Sequence, residues 1–268
     1  MSYIARFRGA LMFATVELKD APGGFRGFMR DIFTLPEINI QRVSVPFGDW
    51  FYRVAVTEYR GQIPVEETVE KLGKLRNGAI FEVNFPCDER TQDFEFIPTE
   101  FTAQLLFNSA VDYIKALVLP PLQSSVTVFD PEGFYSERLE ALVPLFSKIR
   151  VYTNDALLYG KTARMLMDKY GAVVPVCTKF TGKAPDSTVI ICPGEVPFCN
   201  FFKGIIFTNA EEVPPCGCCI RGDGVELPGE YELLRPNGIG KMHFAAALYE
   251  KAGVRSLGGL SFKKLRLT

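Results

Sequence analysis

Histidine is nearly absent from this chain: His243 is the one such residue in 268. A metal site built on several imidazoles is thereby excluded. His243 itself stands in helix-forming sequence with no acid or nucleophile close by, so we read it as structural. Charge of one sign is missing too. Thirty basic residues face 31 acidic ones for a net charge of -1, and neither nucleic acid nor an anionic membrane is an expected partner. No apolar run approaches the roughly 20 residues that span a bilayer. The first residues, Met1-Ser2-Tyr3-Ile4-Ala5-Arg6-Phe7-Arg8, scatter charge where a signal peptide needs a continuous apolar core. The seven cysteines are an odd number without the spacing of a small secreted scaffold. Together these absences lead us to expect a cytoplasmic protein with reduced thiols.

What is present is an alternation of strands and helices. Short apolar runs at 125–129, 149–153, 173–176, 188–192 and 204–208 are separated by amphipathic or polar stretches. Such alternation predicts a parallel, doubly wound sheet. A first helix is expected from about Tyr135, with Pro144 kinking or ending it. A second runs from Asp155, its N-cap, to a stop at Gly171. Pro175 cannot donate to a sheet ladder, so the third strand belongs at an edge. That agrees with the Rossmann-like order 3-2-1-4-5.

Ligands of such sheets lie beyond the carboxyl ends of the strands. The residues expected there are Asp130 and Glu132, Thr153, Asn154 and Asp155, Cys192 to Gly194, and Thr208 with Asn209. A dinucleotide pyrophosphate needs a glycine-rich turn for close approach of backbone amides. The turn here, Asp130-Pro131-Glu132-Gly133, has one glycine and two carboxylates, and Gly238-Ile239-Gly240 does not follow a core strand. The expectation is a Rossmann-like domain without the dinucleotide fingerprint, and without NAD.

Val128-Phe129-Asp130-Pro131-Glu132-Gly133 and Val151-Tyr152-Thr153-Asn154 resemble the first two motifs of haloacid-dehalogenase-like phosphatases. The resemblance implies Asp130 as nucleophile, Glu132 as acid/base, Thr153 as phosphate ligand and Mg2+ as cofactor. Three departures stand out, one being that Cys192-Pro193-Gly194-Glu195 lacks the paired carboxylates expected after the fourth strand. The second acid is Glu where the family has Asp, and the connection from Asp130 to Ile149 is too short for the usual flap. A structural alternative is a helix start capped by its own acids.

The N-terminal region reads as strand-helix-strand-strand-helix-strand, the ferredoxin-like βαββαβ arrangement. Asp20-Ala21-Pro22-Gly23-Gly24-Phe25, followed by Ile38-Asn39-Ile40, is similar to the start of an ACT domain. That family commonly binds amino acids at the first strand-helix junction, often across a dimer interface. The resemblance therefore implies Gly23, Gly24 and Asn39 as ligand-binding positions and a homodimer as the assembly. A helix over about 100–119 ends at Pro120-Pro121. The boundary is accordingly placed at 122/123, with an α+β domain at 1–122 and an α/β domain at 123–268.

Cys216, Cys218 and Cys219 put three thiols in four residues, the pattern of a zinc or iron–sulfur loop if Cys192 or Cys199 joined them. Adjacent cysteines rarely serve one ion with relaxed geometry, so inert thiols and no metal are expected. Residues 225–234 read as a hairpin turning at Pro228-Gly229, Arg221-Gly222-Asp223 as a loop, and 260–267 as a last strand.

Two function classes remain. The first is a non-catalytic, regulatory protein that binds a small molecule or a protein partner at Gly23, Gly24 and Asn39, or at Asp130, Asn154, Asp155, Gly194 and Asn209. The second is a Mg2+-dependent phosphatase using Asp130.

Overall fold

The computed structural model describes residues 12–19, 36–59, 61–75, 78–117 and 124–267. The chain divides into two compact units: Met1–Pro98 with Leu227–Leu257, and Thr99–Glu226 with Gly258–Thr268.

In the first unit, β1 (Phe13–Lys19), β2 (Ile38–Ser44), β3 (Trp50–Thr57) and β4 (Gly78–Phe81) form a sheet of order β2-β3-β1-β4. The order is that of a ferredoxin-like sheet, but the direction of β4 differs. Both β3 and β4 run parallel to β1, and only β2 is antiparallel to its neighbour. Parallel strands need cover on both faces, and this sheet has it. Ala14 and Val16 pack with Leu72 of α1 (Val65–Leu75) on one side. On the other, Phe13 and Phe51 stack at 4.9 Å, and Phe244 of α6 (Lys241–Glu250) meets both rings edge-on. Thus β1 is buried continuously from Phe13 to Val16, and the alternation in its sequence does not mark a solvent face. Beyond β4, Asp88 caps the short helix α2 (Glu89–Gln92) by accepting from the Arg90 and Thr91 amides.

The segment expected as a hairpin at 225–234 instead contains the short helix α5 (Gly229–Glu232), which belongs to this first unit. Pro228 precedes the helix with φ -53, a backbone angle already set for helix entry. The buried Tyr231 donates its hydroxyl to the Pro46 carbonyl at 3.3 Å.

The second unit opens with α3 (Glu100–Leu117). Ala103, Leu106, Phe107, Ala110 and Ile114 of this helix join the core of the second sheet. The unit therefore begins at Thr99, well before the expected boundary near 122, because the apolar stripe of α3 is buried against that sheet. The sheet contains β5 (Ser125–Phe129), β6 (Lys148–Tyr152), β7 (Val176–Cys177), β8 (Val189–Cys192), β9 (Phe202–Thr208), β10 (Cys216–Asp223) and β11 (Lys264–Leu267). The order β11-β10-β9-β8-β5-β6-β7 is the Rossmann-like 3-2-1-4-5-6 with an antiparallel edge strand added. β7 lies at the edge, with Pro175 immediately before it.

One face of this sheet packs under α3, the segment after β5, and α4 (Ala156–Tyr170). Over the other lie Phe180, Phe198 and Phe202, packed with Phe129 and Ile190. The helix expected after β5 is not there. Residues 131–147 form turns around a four-residue 3-10 helix, Leu139–Leu142. Pro144 cannot supply the N–H that a longer helix would need. Cys216 to Cys219 are part of β10, not a loop, and β10 also takes in Arg221-Gly222-Asp223.

Candidate functional site

At the carboxyl end of β5 the chain turns on Asp130, which has no exposed surface. Its Oδ1 accepts from Gly133 N at 3.1 Å and its Oδ2 from Tyr135 N at 2.8 Å. The Tyr159 hydroxyl of α4 also donates to Oδ2. Burial raises the Asp130 carboxyl above its ordinary value, although the bonds from Tyr159 and the turn amides oppose the shift. Tyr135 and Tyr159 are themselves held neutral by burial beside this carboxyl. Cys192, at the end of the neighbouring β8, is pushed up to about 12 by burial. Its Sγ donates to the carbonyls of Gly194 and Glu195. Burial keeps the Cys192 thiol and the two tyrosines protonated, and Asp130 is tied to the turn amides, so the cluster is a poor source of a nucleophile at neutral pH.

The other strand ends are stitched together by bonds among their own backbones and threonine hydroxyls. Asn154 N donates to the Pro131 carbonyl at 3.3 Å, Asp155 N to Thr153 Oγ1 at 3.1 Å, and Thr208 Oγ1 to the Gly194 carbonyl at 3.1 Å. Asn209 donates to the Thr102 carbonyl. Asp155 is the N-cap of α4, accepting from Leu158 N at 2.9 Å. Glu132, Asn154, Asp155 and Gly194 are exposed. Asp130 is not, so the two acids of the first turn do not face one space.

A doubly wound fold would hold a pyrophosphate at the N-terminus of the helix after β5. Here that helix is missing, and Asp130 already accepts the turn amides a phosphate would use. The aromatic side chains of Phe129 and Tyr152, which end β5 and β6, stack at 5.0 Å with Phe180 edge-on to both. These residues do not fit a dinucleotide.

No family model and no curated protein matches the chain. Among solved structures, L-tryptophan dehydrogenase from Nostoc punctiforme is similar at 12% identity and a TM-score of 0.29, covering 88% of this chain and 71% of that one. A shikimate 5-dehydrogenase-like protein is similar at 13% identity and a TM-score of 0.22, covering 69% of this chain and 66% of that one. The fold assignment itself rests on the strand order.

The three clustered cysteines do not converge. Cys216 packs against the aromatic cluster on one face of the sheet and Cys218 against the core on the other, with a register shift between them. Among the described residues no group of three or more His, Cys, Asp or Glu is placed to hold a metal ion. Also among these residues, no helix is long and apolar enough to cross a membrane. Gly23 and Gly24 lie outside the described residues. Asn39 is exposed on β2, paired with Ala55 of β3.

Sequence reasoning missed Tyr135 and Tyr159, which complete the Asp130 cluster. Tyr135 binds the acid through its backbone amide, which no side-chain pattern marks, and Tyr159 is 29 residues from it. It also missed Asn108 and Arg138, which line a groove along α3.

Proposed function

We propose that this chain is a non-catalytic binding protein, acting in the cytoplasm, whose Rossmann-like unit has given up the nucleotide site of its architecture. One observation carries this reading. Asp130 occupies the phosphate-binding position of the fold and spends its oxygens on the turn amides and Tyr159. A carboxylate so engaged closes the turn from inside and repels a phosphate from outside. The same burial weighs against the Mg2+-dependent phosphatase, which needs Asp130 open to an ester and beside a second acid. The ACT-like resemblance would give the first unit an amino-acid-sensing role. Its glycines lie outside the described residues, so support for a binding role comes from the second unit.

The test is a calorimetric titration of the purified chain with NAD+ and NADP+, beside p-nitrophenyl phosphate hydrolysis with Mg2+. Neither binding nor turnover is expected. Saturable dinucleotide binding would sink the proposal, and so would Mg2+-dependent hydrolysis that disappears in Asp130→Asn.

A further inference from the structure

The missing helix after β5 leaves a groove of about 510 Å³ between α3 and the segment around the 3-10 turn. Phe107, Val111 and Ala141 contribute apolar surface to it, Asn108, Asp112 and Arg138 contribute polar groups, and Lys115, Glu137 and Glu140 add further charges to its lining. Arg138 is half-buried, and its Nη1 donates to Asn108 Oδ1 at 3.1 Å. Asn108 is in turn locked, its amide donating to the carbonyls of Gly258 at 2.9 Å and Leu260 at 2.6 Å. A guanidinium has five N–H donors and a planar fork suited to a carboxylate. This one is oriented by a neutral amide, and no carboxylate among the described residues forms an ion pair with it. An arginine withdrawn from water usually has an anionic partner.

Asp112 lies one turn beyond Asn108 on α3, with Ser261 Oγ donating to its Oδ2 at 2.9 Å. Residues four apart on a helix have Cβ atoms about 5–6 Å apart. Asp112 and Arg138 line the same groove, and no ion pair joins them. A guanidinium and a carboxylate lining one groove suit a ligand head carrying a carboxylate and an ammonium on the same carbon, and the apolar surface suits its side chain.

We propose that this groove binds a free α-amino acid with an apolar side chain, Arg138 taking the carboxylate and Asp112 the ammonium. The ligand class presupposes the binding role argued above, but its test is separate from the cofactor and hydrolysis assays.

Isothermal titration would use L-phenylalanine, 3-phenylpropanoate (no ammonium) and 2-phenylethylamine (no carboxylate). L-phenylalanine should bind, and each truncated probe should bind about tenfold more weakly or worse, since one charge-assisted contact is lost. Arg138→Gln and Asp112→Asn should each weaken L-phenylalanine by a similar factor, with unchanged far-UV circular dichroism. Asp112→Asn leaves the Arg138–Asn108 contact alone, so it remains informative if Arg138→Gln disturbs folding. No binding of L-phenylalanine, L-leucine or L-methionine to the unaltered chain would overturn the proposal. Equal affinity for 3-phenylpropanoate, or unchanged affinity in both variants, would do the same.

Discussion

Two adjacent strands of the second unit each run into an aspartate, and the two acids do opposite things. After β5, Asp130 turns inward, is buried, and gathers Gly133 N, Tyr135 N and Tyr159 Oη around itself. After β6, Asp155 stays in solvent and caps α4 through Leu158 N. The residues just beyond each acid account for the difference. Ala156-Leu157-Leu158 continues as helix, so the second carboxylate needs only to satisfy a first-turn amide. Pro131-Glu132-Gly133 cannot do the same. Gly133 has φ +82, and a Cβ there would come within 2.9 Å of Leu158 Cδ2, so the chain turns tightly and the carboxylate becomes the centre of the turn. The same residue type just beyond two neighbouring strands thus makes a helix start once and the centre of a tight turn once.

The comparison would break first at Asp130. Asp130→Ala leaves two backbone amides and a buried hydroxyl without their acceptor, which should cost on the order of 3 kcal/mol in urea unfolding. The effect should also depend on pH. Burial raises the carboxyl in the folded state above its ordinary 3.8. Its contribution is therefore full below the unfolded value and is lost as pH rises through the folded one. The stability gap between the unaltered chain and Asp130→Ala should narrow as pH rises from 3.8. A gap that widened instead would mean that the bonds to the turn and Tyr159 outweigh desolvation.

Asp155→Ala sharpens the other side. Removing an exposed N-cap should cost about 1 kcal/mol, a smaller loss than at the buried Asp130. If Asp155→Ala proved as damaging as Asp130→Ala in the same urea series, the contrast between a capping and a turn-filling acid would be wrong.

The part of this contrast legible in sequence is the part made locally. Asp155 and Gly171 mark the ends of α4 through neighbours within a turn, and the apolar runs with Pro175 fix the order of five parallel strands. Asp130 could be placed at its strand end but not read as buried, because Tyr159 reaches it from 29 residues away. The strand directions of the first unit were hidden for a similar reason. The strand order fits both a ferredoxin-like sheet and the observed one. Part of what distinguishes them is the cover that Phe244 gives Phe13 and Phe51 from the far end of the sequence. The cysteine run shows the opposite hazard: a pattern dense in one reactive residue suggested a loop site, whereas β pairing sends its thiols to different faces.

The smallest effect isolates α4 from the Asp130 turn. Gly160 lies in the second turn of that helix, exposed, and a Cβ added there would meet nothing within 4 Å. Glycine in a helix interior is less favourable than alanine by about 1 kcal/mol, through the backbone freedom it loses on folding. Gly160→Ala should therefore stabilise the second unit by about 0.5–1 kcal/mol, read as a higher urea midpoint at unchanged slope. Combined with Asp130→Ala, the gain should persist nearly in full, because the added methyl touches neither Tyr159 Oη nor the turn. A gain that vanished in the double variant would show that α4 and the turn form and break as one unit, with Tyr159 as their link.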